Sequence, residues 1–210
     1  MPHLTSMIAF ALIALGLVLT PGPNMIYLVS RSISQGPAAG LISLGGVACG
    51  FILYMLSAAL GITAFVFAVP FAYDALRLAG AAYLAWLAWN ALKPGGRSAF
   101  HVRELPKDSK RRLFSMGLVT SLLNPKVAIL YLSLLPQFID PAAGSVFTQS
   151  VIFGFVHIAV SLTFNAIFAL TAGSVALFFV RRPSFALVQR WLMGTVLAGL
   201  AVRMAFEAQR

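Results

Sequence analysis

Acid is scarce in this chain. Only 5 of 210 residues are Asp or Glu, against 15 Lys and Arg. No carboxylate pair, metal-spaced histidine cluster or nucleophile motif lies in any apolar run. That argues against an enzyme and leaves no expectation of a bound metal or other cofactor. Cysteine is scarcer still: Cys49 stands alone, which excludes an internal disulfide and any paired-thiol relay. It reads as a small buried apolar residue. Charge of either sign is limited to 10% of residues while 60% are hydrophobic, and mean hydropathy is +0.92. Soluble domains carry about a quarter charged residues, so the chain is an integral membrane protein of one domain, 1–210. The net charge of +10 does not point to nucleic acid. The basic residues fall between apolar runs, without a stripe or interleaved aromatics. No cleavable signal is expected, because no basic segment precedes the first apolar run.

What the chain has is long uncharged runs. A spanning helix needs about 20 mostly apolar residues. Six spans are read: Leu4–Val29, one within Leu41–Val69, Leu78–Leu92, Leu113–Ile139, one within Val146–Val180, and about Leu187–Phe206. Arg31–Gly40, Pro70–Arg77, Pro136–Ser145 and Arg181–Pro183 read as links, and Lys93–Arg112 as a long solvated basic loop. Asp74/Arg77 and Arg203/Glu207 have the spacing of helical charge pairs. With both termini outside, the inward-facing links hold eleven Lys and Arg and the outer side three, a positive-inside bias. The stripe Tyr83, Trp86, Trp89 reads as helix packing or an interface belt. Gly36/Gly40 and Gly46/Gly50 suit close helix approach, either within the chain or in a dimer.

Proline and glycine fall where a spanning helix should be unbroken. Thr20-Pro21-Gly22-Pro23-Asn24 interrupts the first run, and Asn124-Pro125-Lys126 interrupts the fourth. Pro21 and Pro23 lack N–H groups, so the carbonyls of Leu17 and Leu19 lose their helical partners, as Ser121 does at Pro125. Backbone freed at membrane depth is tolerated where protein or a water-filled cavity satisfies it. Broken membrane helices therefore point to a binding site; a simple kink is the alternative. The halves also resemble each other. Gly16-Leu17-Val18 and Met25-Ile26-Tyr27-Leu28 flank the first break. Gly117-Leu118-Val119 and Ile129-Leu130-Tyr131-Leu132 flank the second, and Gly80 matches Gly194. Three spans per half invert the second half. The expected fold is all-α: six transmembrane helices as two inverted three-helix repeats, about 1–93 and 111–210, joined by the basic loop 93–112, with the first and fourth helices broken at prolines.

These motifs carry a family resemblance. Thr20–Asn24, the segment Gly80–Leu87 (Gly-Ala-Ala-Tyr-Leu-Ala-Trp-Leu), Asn124-Pro125-Lys126 and Leu135-Pro136-Gln137-Phe138 resemble the LysE/RhtB amino-acid exporters of the homoserine, threonine and lysine efflux type. The resemblance covers essentially the whole chain. It implies a multi-pass protein of the bacterial inner membrane that exports amino acids or close derivatives, by proton antiport and as a homodimer.

The expected substrate-binding residues are Pro21, Gly22, Pro23, Asn24, Asn124, Pro125 and Lys126, with breaks that present carbonyls and the Asn24 and Asn124 amides. Lys126 is the one formal charge near the middle of a span. A lysine there costs roughly 2.5–3.5 kcal/mol on insertion scales, so a partner is expected. It either caps freed carbonyls or meets the carboxylate that all amino acids share. Lys126, Asp74 and His157 are the proton-coupling candidates; for His157 the plainer reading is a hydrogen bond with Ser161. Asn165 lies on the same face and reads as a polar group joining helices. No Asp or Glu sits at mid-span, which favours a neutral amino acid or a derivative such as homoserine or threonine over lysine or arginine. A channel or ion-conducting module, a non-transporting accessory protein and an exporter of cationic amino acids are the competing readings.

Overall fold

The computed structural model describes residues 2–62, 70–93, 107–181 and 183–206. Every regular element among them is helical. Helix α1 (Leu4–Leu19) is followed by α2 (Pro23–Gln35), α3 (Pro37–Ser57) and α4 (Pro70–Leu92). Then come α5 (Lys110–Leu122), the short α6 (Pro125–Ile129), α7 (Val146–Arg181) and α8 (Pro183–Phe206). α3 and α7 are long and apolar enough to cross a membrane, over Pro37–Gly61 and Val146–Ala172. Two bent pairs pass the same test jointly, giving up to 4 spans by length and composition. α1 and α2 meet at 53°, and α5 meets the segment Pro125–Phe138 at 46°.

The breaks lie where the prolines lie, for the local reason the sequence supplies. Several links are shorter than expected. Arg31–Gln35 is not a link but the last part of α2, because no helix breaker occurs before Gly36. Gly36 takes φ +89 and ends the helix, and Pro37 opens the next. The first break therefore lies midway along Leu4–Gln35 rather than near one end. Pro70–Arg77 is likewise the start of α4, with proline in the first turn. Lys110, Arg111 and Arg112 form the first turn of α5 instead of ending a loop, with Ser109 as N-cap accepting from Arg112 N–H at 3.3 Å. Arg181 ends α7 and Pro183 opens α8, where a three-residue link was expected. Residues 94–106, with Arg97, His101 and Arg103 of the basic loop, lie outside the described residues, as does Glu207.

α3 is the central helix: it packs along α5 on one side and α7 on another. The crossing with α5 is close because both helices put glycine there. A Cβ at Gly46 would run into the Phe114 carbonyl, and one at Gly50 would lie 2.6 Å from Ser121 Oγ. Gly117 of α5 packs in the same way on the Ser43 carbonyl. Gly46 and Gly50 thus serve packing within the chain. α4 and α8 pack along each other. Trp86 and Trp89 are 56% and 67% exposed on α4.

Candidate functional site

Lys126 decides the geometry of the first break. Its residue is buried, and Nζ donates to the Leu17 carbonyl at 2.8 Å and to the Thr20 carbonyl at 2.5 Å. Leu17 is the residue whose helical partner Pro21 removes. The ammonium therefore stands in for missing backbone N–H groups, and the carbonyls offset part of its desolvation. Thr20 Oγ1 and N–H both turn back to the Gly16 carbonyl, at 2.8 and 3.2 Å, and close the end of α1. Gly22 is extended, at φ −163 and ψ 179, a conformation open to any residue. What it supplies is room. A Cβ there would overlap Lys126 Cε and lie 2.7 Å from Nζ.

The second break satisfies itself. Asn124 is buried and caps α6: its Oδ1 accepts from Lys126 N–H at 3.0 Å. The Ser121 carbonyl, expected to be left open by Pro125, accepts from Asn124 N–H at 3.1 Å. The expectation that both breaks present bare carbonyls needs correction at Leu17 and Ser121. Each has a donor, because a buried carbonyl without one costs about 1–3 kcal/mol.

A half-open cavity lies against both breaks. Gly22, Asn24, Asn124 and Lys126 line it, together with His157, Ser161 and Asn165 of α7. Leu17, Met25, Phe51, Val127 and Leu130 are among its apolar walls. No Asp or Glu is among the lining residues. Pro21, Pro23 and Pro125 are not among them either: Pro23 and Pro125 face outward and shape the breaks without touching the cavity. Asp74 is half-buried on α4 and does not line it. Of the expected site residues, then, the fold brings four together with His157, and leaves the three prolines and Asp74 outside.

Among the described residues, Asn24 and Asn165 on the walls have polar atoms without partners. Asn24, 5% exposed, has neither Nδ2 nor Oδ1 hydrogen-bonded among the described residues. Asn165, 2% exposed, donates Nδ2 to the Ser161 carbonyl at 2.8 Å, while its Oδ1 has no donor. His157 does not pair with Ser161 as its spacing suggested. Nδ1 lies 3.0 Å from the Tyr131 hydroxyl, across to the segment that continues α6. Phe51 packs edge-on against the same ring at 4.8 Å. When the Tyr131 hydroxyl donates, the neutral ring carries its proton on Nε2. Sequence reasoning noticed Asn165 and Ser161 only as helix-joining groups. The signal was present as polar residues at one-turn intervals in an otherwise apolar run.

A second polar cluster was missed. Arg31 Nη1 forms an ion pair with Asp108, whose side chain is 3% exposed, and Arg112 Nε lies 3.1 Å from the same carboxylate. Asp108 N–H donates to Gln35 Oε1 at 3.0 Å. Asp108 is thus not a solvated loop residue but the anchor between the end of α2 and the start of α5.

Comparison with known proteins places this architecture. The chain is 27% identical over 193 residues to the leucine efflux protein of Enterobacter sp. (strain 638), covering 90% of each chain. It is 27% identical over 199 residues to the leucine efflux protein of Klebsiella pneumoniae subsp. pneumoniae, covering 91% of each. An uncharacterized membrane protein of Pseudomonas aeruginosa is 28% identical over 195 residues, 90% of this chain and 89% of that one. No solved structure is a significant match. Residues 15–208 match the family model described as LysE type translocator. The chain belongs to the LysE family of membrane transporters.

Proposed function

We propose that the protein is a secondary carrier that exports a neutral amino acid across the bacterial inner membrane in exchange for protons. In this reading 1–210 is one domain of six spans, in two inverted halves, 1–93 and 111–210, joined by the basic loop 93–112. Both termini lie outside, and the unit is a homodimer. One observation carries the reading: a cavity lined by both proline-broken segments holds a single cation and unpartnered amides, with no acid. Bends of 53° and 46° at corresponding places in the two halves support the inverted arrangement.

An ammonium has three donors. Lys126 uses two on the Leu17 and Thr20 carbonyls, which leaves one for a substrate carboxylate. Substrate binding would then bear directly on the contacts that hold the first break. A cationic side chain would find no anion to replace its water. The apolar walls at Leu17, Phe51 and Leu130, and relatives named for leucine efflux, move the preferred substrate from homoserine or threonine toward leucine. Of the proton-coupling candidates, Lys126 and His157 line the cavity, and the coupling role is assigned to that pair rather than to Asp74.

The test is efflux from overexpressing cells loaded with leucine, threonine, homoserine or lysine through dipeptides. Leucine or another neutral amino acid is expected to leave fastest, with saturation and with loss on adding a protonophore. Export chiefly of lysine or arginine, or unsaturating voltage-driven current, would overturn the reading.

Gly22 offers a sharper check of the Lys126 geometry. Gly22→Ala suits the extended backbone, so the chain is expected to fold and insert. Its methyl group must push the Lys126 ammonium off its carbonyls. Hydrogen bonds to charged groups contribute about 1.5–3 kcal/mol, so export should fall roughly tenfold or more. Gly45→Ala is the control, since a Cβ there meets Phe114 ring carbons at 3.6 Å, an ordinary contact. Equal efflux rates for the two variants would show that Gly22 is not reserving space for Lys126.

A further inference from the structure

We propose that Asn165 is the subsite for the α-ammonium group of the substrate. The inference rests on the amino-acid export reading and adds to it the orientation in which the zwitterion binds. Asn165 is placed two turns along α7 from His157, buried at 2% exposure, on the wall of the cavity. Its amide cannot be turned round. The Ser161 carbonyl, 2.8 Å away, can only accept, so the NH₂ group must face it. Oδ1 is thereby fixed as an acceptor, and it has no donor among the described residues. A carbonyl oxygen buried without a donor costs about 1–3 kcal/mol, which a bound donor returns.

Ammonium is the donor that the rest of the cavity selects. Its usual partner, a carboxylate, is not among the lining residues, so neutral oxygens must replace its water. Lys126 repels it and attracts the other end of a zwitterion. The first turn of α2 adds to that attraction. Pro23 has no N–H and Ile26 N–H bonds the Gly22 carbonyl at 2.9 Å, so the helix aims the remaining N–H groups of Asn24 and Met25 from its N-terminus. Asn24, on that turn, has both side-chain polar atoms unpartnered. The carboxylate thus lies toward Lys126 and α2, the ammonium toward Asn165, and an apolar side chain toward Phe51 and Leu130. An acceptor of fixed direction makes the site specific for amines, not merely for carboxylates with an apolar tail.

The experiment uses the purified full-length chain, with L-leucine and 4-methylpentanoate as ligands. The second has the same carboxylate and side-chain carbons but no amine. Binding is read by thermal shift and by competition against labelled leucine in proteoliposomes. Wild type is expected to prefer leucine. Asn165→Leu is expected to bind leucine about tenfold more weakly or worse, with 4-methylpentanoate affinity unchanged, since one charge-assisted hydrogen bond is lost. Asn165→Asp keeps an acceptor oxygen and is expected to keep the preference for the amine. Asn165→Leu that binds leucine like wild type overturns the subsite. So does equal loss of both ligands, which is the mark of a structural role, and so does Asn165→Asp without preference. A wild-type protein that binds none of leucine, threonine, homoserine and lysine overturns the export reading itself, and the subsite with it.

Discussion

Lys126→Met is expected to abolish amino-acid export while leaving a folded, membrane-inserted protein. Methionine keeps most of the side-chain length and removes the charge. The Leu17 and Thr20 carbonyls lose their donor, which costs about 1–3 kcal/mol for each group left buried. Against this, the desolvation of a buried ammonium is no longer required, and that penalty is several kcal/mol per ion. The two effects oppose each other, so stability should change little. Function has no such compensation. The substrate carboxylate loses the only cation among the described residues of the cavity wall, and a proton-coupling candidate is removed. Arginine is not expected to rescue the loss, because Gly22 against Lys126 Cε leaves no room for a guanidinium. Initial efflux rates, normalised to protein in the membrane, decide the matter. A wild-type rate with unchanged proton dependence would show that Lys126 is neither the carboxylate partner nor the coupling group.

Asp108→Asn is expected to produce the largest loss of stability. It leaves the Arg31 guanidinium buried at 8% exposure without its counter-ion. Breaking a buried pair from one side costs about 3–5 kcal/mol. Its other partners among the described residues, the Tyr27 ring at 5.7 Å and Met116 Sδ at 4.0 Å, are weak ones for a charge. Tyr27 itself donates to the Leu113 carbonyl at 2.7 Å, and Ser43 of α3 donates to the Tyr27 hydroxyl. The disturbance therefore falls where α2, α3 and α5 meet. Arg112, 68% exposed, is solvated with or without Asp108. Denaturation in detergent is the measurement, with Arg31→Met/Asp108→Leu as the second arm. Removing both charges together is expected to restore most of the lost stability, since apolar replacement of a buried pair is often neutral or better. An Asp108→Asn variant as stable as wild type would mean that Arg31 is not held by this pair.

Much of the fold was legible because its causes act over short stretches of chain. A run without charge from Leu41 to Val69 demands a nonpolar surround whatever lies elsewhere. Pro21, Pro23 and Pro125 remove backbone donors and place two breaks to the residue. The same local logic overshot at the ends of elements. Arg31 was read as a link because a charge at the end of an apolar run suggests water. The helix runs on to Gln35 because no breaker precedes Gly36, and the charge of Arg31 is tolerated out of water because Asp108, 77 positions on in the sequence, pairs with it.

The amino-acid sequence by itself determined that this chain is built of membrane helices, where two of them break, and that one cation lies at a break. Only the tertiary structure decided what satisfies each freed or buried group. It set Lys126 on the Leu17 carbonyl across 109 positions, His157 on Tyr131 across 26, and Asp108 under Arg31. It also left Asn24 and the Asn165 oxygen without partners among the described residues. The physical reason is the range of the forces involved. Helix formation and its interruption are set by donors and acceptors within four residues of one another. A hydrogen bond or ion pair between helices has no fixed spacing in sequence, and forms only where packing brings the two groups within about 3 Å.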